Sequence, residues 1–330
     1  MFGETVDFRE CVFDITNENM RHKGWIWWFW LFFIENPENP DKPRQLMILW
    51  SRKNVKKIWC NHELLDFTGD KKDEGVVACW YFDGEKMHHN YLLEQCTLKI
   101  EKDSLTSNSK IPTYFSVDSE GCRVKIGSSF DFKLVGKSDH KFNQPTYYKD
   151  NIVKDFSYSL LRHNILKLSG EVEGQKIRGT GYFQRVCVNA PIPPWYWGIF
   201  HFENGGVLTY FKPHIFGVGL RGDICFFDGS DMHVFTDMDV ERIGSINPIF
   251  KIIGKNEVEE ITFNVNPYSH SSWTFKGSLL KLLETILVYN EYPAKIEGLT
   301  LKNKDAKTII TTKSLGDNVG NAEHSTGILL

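Results

Sequence analysis

The sequence has no apolar stretch long enough to cross a bilayer as a helix. Its most apolar run, Gly24 to Ile34 (G-W-I-W-W-F-W-L-F-F-I), is eleven residues, against the ~20 that a spanning helix needs, so it reads as a strand or an interfacial segment. Nothing at the start combines a basic region, an apolar core and a small-residue cleavage site, and no export signal is read there. Positive charge is not in excess: 39 Lys and Arg stand against 42 Asp and Glu, for a net charge of −3. Without a basic face or stripe, nucleic acid is not an expected partner. There is no C-x-x-C pair. The seven cysteines (Cys11, Cys60, Cys79, Cys96, Cys122, Cys187, Cys225) stand singly, with no histidine spacing that suits zinc, which predicts reduced core thiols, a cytoplasmic location and no metal. His88 and His89 would point to opposite faces of a strand and share no metal. No G-x-S-x-G elbow is present, and Ser269-His270-Ser271 sits in a polar turn. Gly179-Thr180-Gly181 follows no strand-to-helix unit, so it is not a dinucleotide fingerprint, and no cofactor is expected. No repeat of 20–50 residues and no low-complexity tract is found.

Aromatic residues are abundant. With 24 Phe, 12 Tyr and 10 Trp among 330 residues, ring surface must form much of the core, at roughly 150–250 Å² buried per ring. Hydrophobic content of 41% with 25% charged residues is that of a soluble globular chain long enough for two cores. Short apolar runs separated by turn residues recur at Trp25–Ile34, Gln45–Ser51, Val76–Phe82, Tyr91–Ile100, Thr113–Val117, Cys122–Ile126 and Ser129–Val135. That spacing predicts antiparallel β structure, as a sandwich or barrel. Leu279–Val288 fits either a short helix or buried strand, which periodicity cannot decide.

From Gly179 to Tyr210 a Gly-punctuated strand ends in a corner of Pro191, Pro193 and Pro194, which must lie outside the sheet because Pro cannot donate to a ladder. A strand opening on Trp195, Tyr196 and Trp197 then runs to Asn204-Gly205-Gly206, a hairpin signal, and returns through Val207–Phe211. Alternation puts Trp195, Trp197, Ile199 and His201 on one face and Tyr196, Gly198, Phe200 and Phe202 on the other. Rings of this size either fill a barrel or wall a cavity for an apolar ligand.

Four segments carry a resemblance to the carotenoid 1,2-hydratase (hydroxyneurosporene synthase)-like proteins, which include fungal Diels-Alderase-type cyclases. Trp25–Phe33 is similar to the family's W-W-Y-F opening strand. Phe156-Ser-Tyr-Ser-Leu160 with Leu168-Ser-Gly-Glu-Val-Glu-Gly174 resembles its central hairpin. Gly179–Tyr182 with Trp195–Tyr210 resembles its G-x-G-Y…W-x-W/F block, and Tyr289-Asn-Glu291-Tyr292-Pro293 its closing strand. The resemblance implies an all-β fold of two lipocalin-like antiparallel β-barrel domains packed side by side, here 1–189 and 190–304; residues 305–330, polar and rich in Asn, Gly, Ser and Thr, read from their composition as a loosely held C-terminal tail. One departure bears on chemistry. Where the family carries an acid–histidine pair after G-x-G-Y, this chain has Gln184 and Arg185.

Protonating an isoprenoid or polyketide-like double bond needs an acid facing the alkene, walls that tolerate a carbocation, and controlled water. Glu291, placed by the closing-strand resemblance and flanked by Tyr289 and Tyr292, is the expected proton donor, because a carboxylate among rings has its pKa raised. Trp27, Tyr182, Trp195, Trp197, His201 and Tyr292 are the expected ligand contacts, the rings acting through cation–π attraction. Arg185 would meet a ligand carboxylate, pair with an internal acid such as Glu291 or Glu203, or form a structural ion pair between the two domains. Three readings follow: an enzyme catalysing hydration, isomerisation or cyclisation of an apolar small molecule; a non-catalytic lipid or hydrophobic-ligand carrier; and a structural β-barrel with a filled core.

Overall fold

A computed structural model describes residues 3–16, 18, 20, 24–68, 73–136, 140–153, 156–189, 193–215, 218–245, 248–279 and 283–329. The chain is all-β, with 68% of residues in strands and 4% in helices, and it divides between residues 191 and 192 into two compact units. Pro191 lies outside the described residues, while Pro193 and Pro194 precede the Trp195–Phe202 strand without joining it.

The first unit is a closed antiparallel barrel of ten strands. Around it run Trp25–Ile34, Arg44–Lys53, Glu74–Phe82, Met87–Ile100, Ser104–Ser107, Thr113–Val117, Cys122–Ile126, Phe130–Gly136, Phe156–Val172 and Gln175–Asn189, each bonded to the next. Closure comes from Gln175–Asn189, which bonds Phe156–Val172 on one side and Trp25–Ile34 on the other. Phe156–Val172 is long enough to serve two partners along its other edge, Phe130–Gly136 toward its end and Thr146–Val153 toward its start.

Alternation along Trp25–Ile34 turns Ile26, Trp28, Trp30, Phe32 and Ile34 into the barrel. There the rings meet one another: Trp30 and Phe183 centroids are 4.8 Å apart, Trp30 and Phe115 5.3 Å, Phe32 and Phe132 4.4 Å. Trp50 donates to Thr113 Oγ1 at 2.6 Å. A ten-strand barrel of ordinary width can hold a ligand, but this interior is filled with aromatic side chains. The N-terminal segment closes one end, with Val12 and Phe13 joining the core, Phe13 4.9 Å from Phe115, and Trp28 donating to the Val12 carbonyl at 2.8 Å.

In the second unit one sheet path runs Met232–Phe235, Asp223–Phe227, Val207–Ile215, Trp195–Phe202, Asn318–Gly327, Leu283–Asn303, Glu259–Pro267, Ile249–Lys255, Asp237–Ile243. Every one of these strands sends side chains into one apolar core, from Phe200 and Tyr210 to Met238, Phe263 and Tyr292. The Asn204–Gly206 turn is a tight hairpin, Gly205 adopting φ 88° and Phe202 bonding the Gly206 carbonyl at 2.9 Å. Only a residue without Cβ takes that backbone freely. From Leu283 onward, the segment that periodicity left open is strand; residues 280–282 lie outside the described set.

The expected loose tail is corrected. Thr308–Thr311 pairs with Leu283–Asn303, and Asn318–Gly327 is an interior strand, bonded to Trp195–Phe202 and to Leu283–Asn303. Its sequence, N-V-G-N-A-E-H-S-T-G, carries almost no apolar pattern, because small Gly320 and Ala322 fill the core side while polar Asn321, Glu323 and Ser325 fill the other. A Cβ on Gly320 would fall 2.2 Å from the Phe200 ring, so strand packing there requires glycine.

Candidate functional site

The face of the second sheet opposite its apolar core carries an unusual set of buried polar groups. Strand register lines them up in rows. Trp197 is opposite Glu323, Glu323 opposite Glu291, and Glu291 opposite Ser271. In the next row Ser325 faces Tyr289, which faces Trp273, and the Ser325 hydroxyl accepts from the Trp195 backbone N–H at 2.8 Å. Glu291 is 0% exposed and Glu323 5%.

Two carboxylates directly opposite on neighbouring strands repel when both are charged. Here a phenol stands between them: Tyr289 Oη lies 2.6 Å from Glu291 Oε1 and 2.7 Å from Glu323 Oε1. A phenol has one proton to give. For both contacts to be hydrogen bonds, Tyr289 donates to one carboxylate and the other, protonated, donates to the Tyr289 oxygen. The pair then holds one proton and one negative charge, the arrangement buried like charges favour. Burial pushes the Glu323 carboxyl up to about 7, against the opposing pull of hydrogen bonds from Tyr289 and Trp195. Burial and the two acids together raise the Tyr289 phenol well above its ordinary value. Trp195 Nε1 donates to Glu323 Oε2 at 2.8 Å, and its ring lies 5.6 Å from that of Tyr289.

Around this trio several polar atoms are buried with no hydrogen-bond partner among the described residues: Ser271 Oγ, Trp273 Nε1, and both side-chain polar atoms of Asn321. Each such group costs about 1–3 kcal/mol if left unpaired. Their concentration on one face marks a place suited to a partner with hydrogen-bonding atoms.

The predicted site residues separate into several groups. Trp195, Trp197, His201 and Glu291 share this face, the two indoles half-buried and His201 buried four residues along the strand from Trp197. Tyr292 does not share it. Next to Glu291 in a strand, it points the other way into the apolar core, its ring 5.5 Å from Phe250 and 4.9 Å from His270. Trp27 and Tyr182 belong to the first unit, on strand faces turned away from the barrel interior, and Tyr182 Oη donates to Gln184 Oε1 at 3.0 Å. Arg185 takes the opposite side of its strand. It donates to the carbonyls of Cys11 and Asp14 at 2.6 and 2.5 Å and to Glu18 Oε1 at 3.1 Å; neither Glu291 nor Glu203 is its partner there. Glu18 also accepts from Ser159 at 2.7 Å and Tyr147 at 3.2 Å. This buried pair ties the N-terminal segment to the barrel end.

Glu323, Ser271 and Trp273 were not foreseen. Glu323 lies in the segment read as a tail, and Ser271 at the strand edge of a turn. An isolated acid among small residues was the one signal for Glu323, and it appears only once the strand is known. His88 meets Asp83 Oδ2 at 2.8 Å.

No protein-family model matches the sequence, nor does any curated protein. Among solved structures, the chain is similar to a protein from Nitrosomonas europaea provisionally called AttH, with a TM-score of 0.58 at 12% identity over 99% of this chain and 98% of that one. A second similar structure is kievitone hydratase from Nectria haematococca, with a TM-score of 0.42 at 9% identity, covering 92% of this chain and 88% of that one. Identity this low extends to fold alone, and the fold shared with the first is this all-β barrel architecture.

Proposed function

We propose that the chain binds an apolar, isoprenoid- or polyketide-like small molecule and transforms it by proton transfer, as hydration, isomerisation or cyclisation, with the Glu291–Tyr289–Glu323 group as acid and base. The observation that carries this reading is the single phenol within hydrogen-bond distance of two buried carboxylates. One carboxyl gives a proton to the substrate, and its charged partner is the base that can take one back. Because burial holds the Glu323 proton up to about neutral pH, the donor is loaded where a free carboxylic acid would be ionised. Trp195, Tyr289 and Trp197 offer ring faces to a developing cation, each worth roughly 0.5–2 kcal/mol. The unpaired atoms of Ser271, Trp273 and Asn321 favour a substrate with an oxygen function over a pure hydrocarbon. No cofactor enters this scheme.

The packed interior of the first barrel favours a second reading for that unit, a structural barrel with a filled core; a non-catalytic carrier is the corresponding reading for the second. Native mass spectrometry of protein purified from its own host, followed by incubation of any retained molecule, separates these. Conversion that falls by about 10²–10⁴-fold in Glu291→Gln and Glu323→Gln, with retention intact, supports the acid–base role. Retention without conversion supports a carrier, and no retained molecule argues for structure alone.

A further inference from the structure

An open cleft lies on the outer wall of the first unit, and none of the carboxylate-pair residues lines it. It encloses about 630 Å³, within the ~300–1,000 Å³ common for small-molecule sites. Its floor includes the strands Cys122–Ile126, Phe130–Gly136, Phe156–Val172 and Gln175–Asn189. Alternation sends Phe132, Leu134, Leu168 and Ile177 into the barrel core and leaves the intervening side chains outside. Register then sets Arg123 opposite Lys133, Lys133 opposite Ser169, and Ser169 opposite Arg178.

Three cations and one hydroxyl therefore share a single cross-strand row, where like charges directly opposite destabilise a sheet. Asp131 answers Arg123, with contacts of 2.9 and 2.6 Å, and also Lys125 at 3.2 Å. Lys133 and Arg178 have no side-chain partner among the described residues. Their backbones are two strand spacings apart, roughly 10 Å, a gap that two long side chains can close over Ser169. Arg44 lines the same cleft; its Nη2 donates to the Glu35 carbonyl at 3.4 Å, while its Nε is buried with no partner among the described residues.

We propose that this cleft binds a compact dianion of the phosphate type, held between Lys133 and Arg178 above the Ser169 hydroxyl, with Arg44 at its edge. Glu35 and Glu171 also line the cleft and limit the occupant. An extended polyanion would run against those carboxylates, whereas one phosphate group, free or terminating a small molecule, meets only the cationic row.

The test is calorimetric titration of the full chain at low salt with inorganic phosphate, glycerol 3-phosphate and citrate. Saturable binding of either phosphate compound at about millimolar or tighter is expected, weakened about tenfold or more by Lys133→Gln or Arg178→Gln alone, each a lost charge-assisted contact. Lys99→Gln removes an exposed cation paired with Glu101 elsewhere and should leave affinity unchanged. Tighter binding of the ester identifies a phosphorylated small molecule as the ligand; equal binding identifies free phosphate. Citrate binding without phosphate binding, no saturable signal, or affinity that survives both cleft substitutions overturns the proposal.

Discussion

Glu291 and Glu323 lie directly opposite each other on adjacent antiparallel strands, and the Tyr289 hydroxyl is within 2.7 Å of both. A bridge of this kind makes the phenol necessary to the fold around it as well as to any proton transfer. Tyr289→Phe removes the shared donor and leaves two carboxyls facing each other in a buried place. Its unfolding free energy, measured by urea titration, is expected to fall by about 1–3 kcal/mol, with a larger loss at pH 8 than at pH 5 because both acids then tend to ionise. An equal loss at both pH values would show that the pair carries no shared proton.

Stability should depend on pH through Glu323. Its folded-state value near 7 lies above the ordinary 4.5, so the folded chain keeps a proton that the unfolded chain has released. That contribution is complete below pH 4.5 and is lost as pH rises through about 7. Glu323→Gln is expected to flatten this slope in denaturation curves taken at half-unit steps; an unchanged slope would assign the effect to other groups.

Arg185 is expected to behave as a structural residue. Arg185→Met leaves Glu18 buried, among the described residues, with the Ser159 and Tyr147 hydroxyls, the Cys187 thiol and the more distant Lys149, at 3.9 Å, and should cost about 3–5 kcal/mol. Adding Glu18→Gln should recover a substantial part. Failure of the double substitution to recover stability would mean that the lost bonds to the Cys11 and Asp14 carbonyls, not the stranded charge, dominate.

Truncation after Asp317 removes an interior strand, and the second unit should fail to fold. Limited proteolysis is expected to digest residues beyond about 192 while a fragment of the first unit persists, in keeping with the separate core of each unit. A second unit that stays resistant would show that the remaining strands re-pair.

The first barrel was largely legible, because Trp25–Ile34 and its partners bear large apolar side chains on alternating or continuous patterns that only a sheet can bury. Asn318–Gly327 was not, since a strand with small residues on its core side and polar ones on the other has no hydrophobic period to detect. The same cause divided the site. Glu291 stood out as an acid in an aromatic strand, while Glu323, its equal in the structure, sat among Asn, Gly and Ser. Tyr292 was grouped with Glu291 although adjacent residues of a strand face opposite ways, and Arg185 was separated from Tyr182 by the same rule. Partners such as Glu18 depend on a loop path that no local pattern encodes.

Closure of the first barrel joins Trp25–Ile34 to residues 179–188, contacts between segments far apart in the chain. Loop closure over such a span is slow. During synthesis a ten-residue strand of nearly continuous aromatic and aliphatic side chains must wait, its outer edge unpaired, while some 150 further residues are added at about 5–20 per second. That is several to tens of seconds of exposure for a strongly apolar strand edge. Crowded ribosomes on one message would bring such edges together, so the yield of folded protein should depend on how well chaperones shield that first strand.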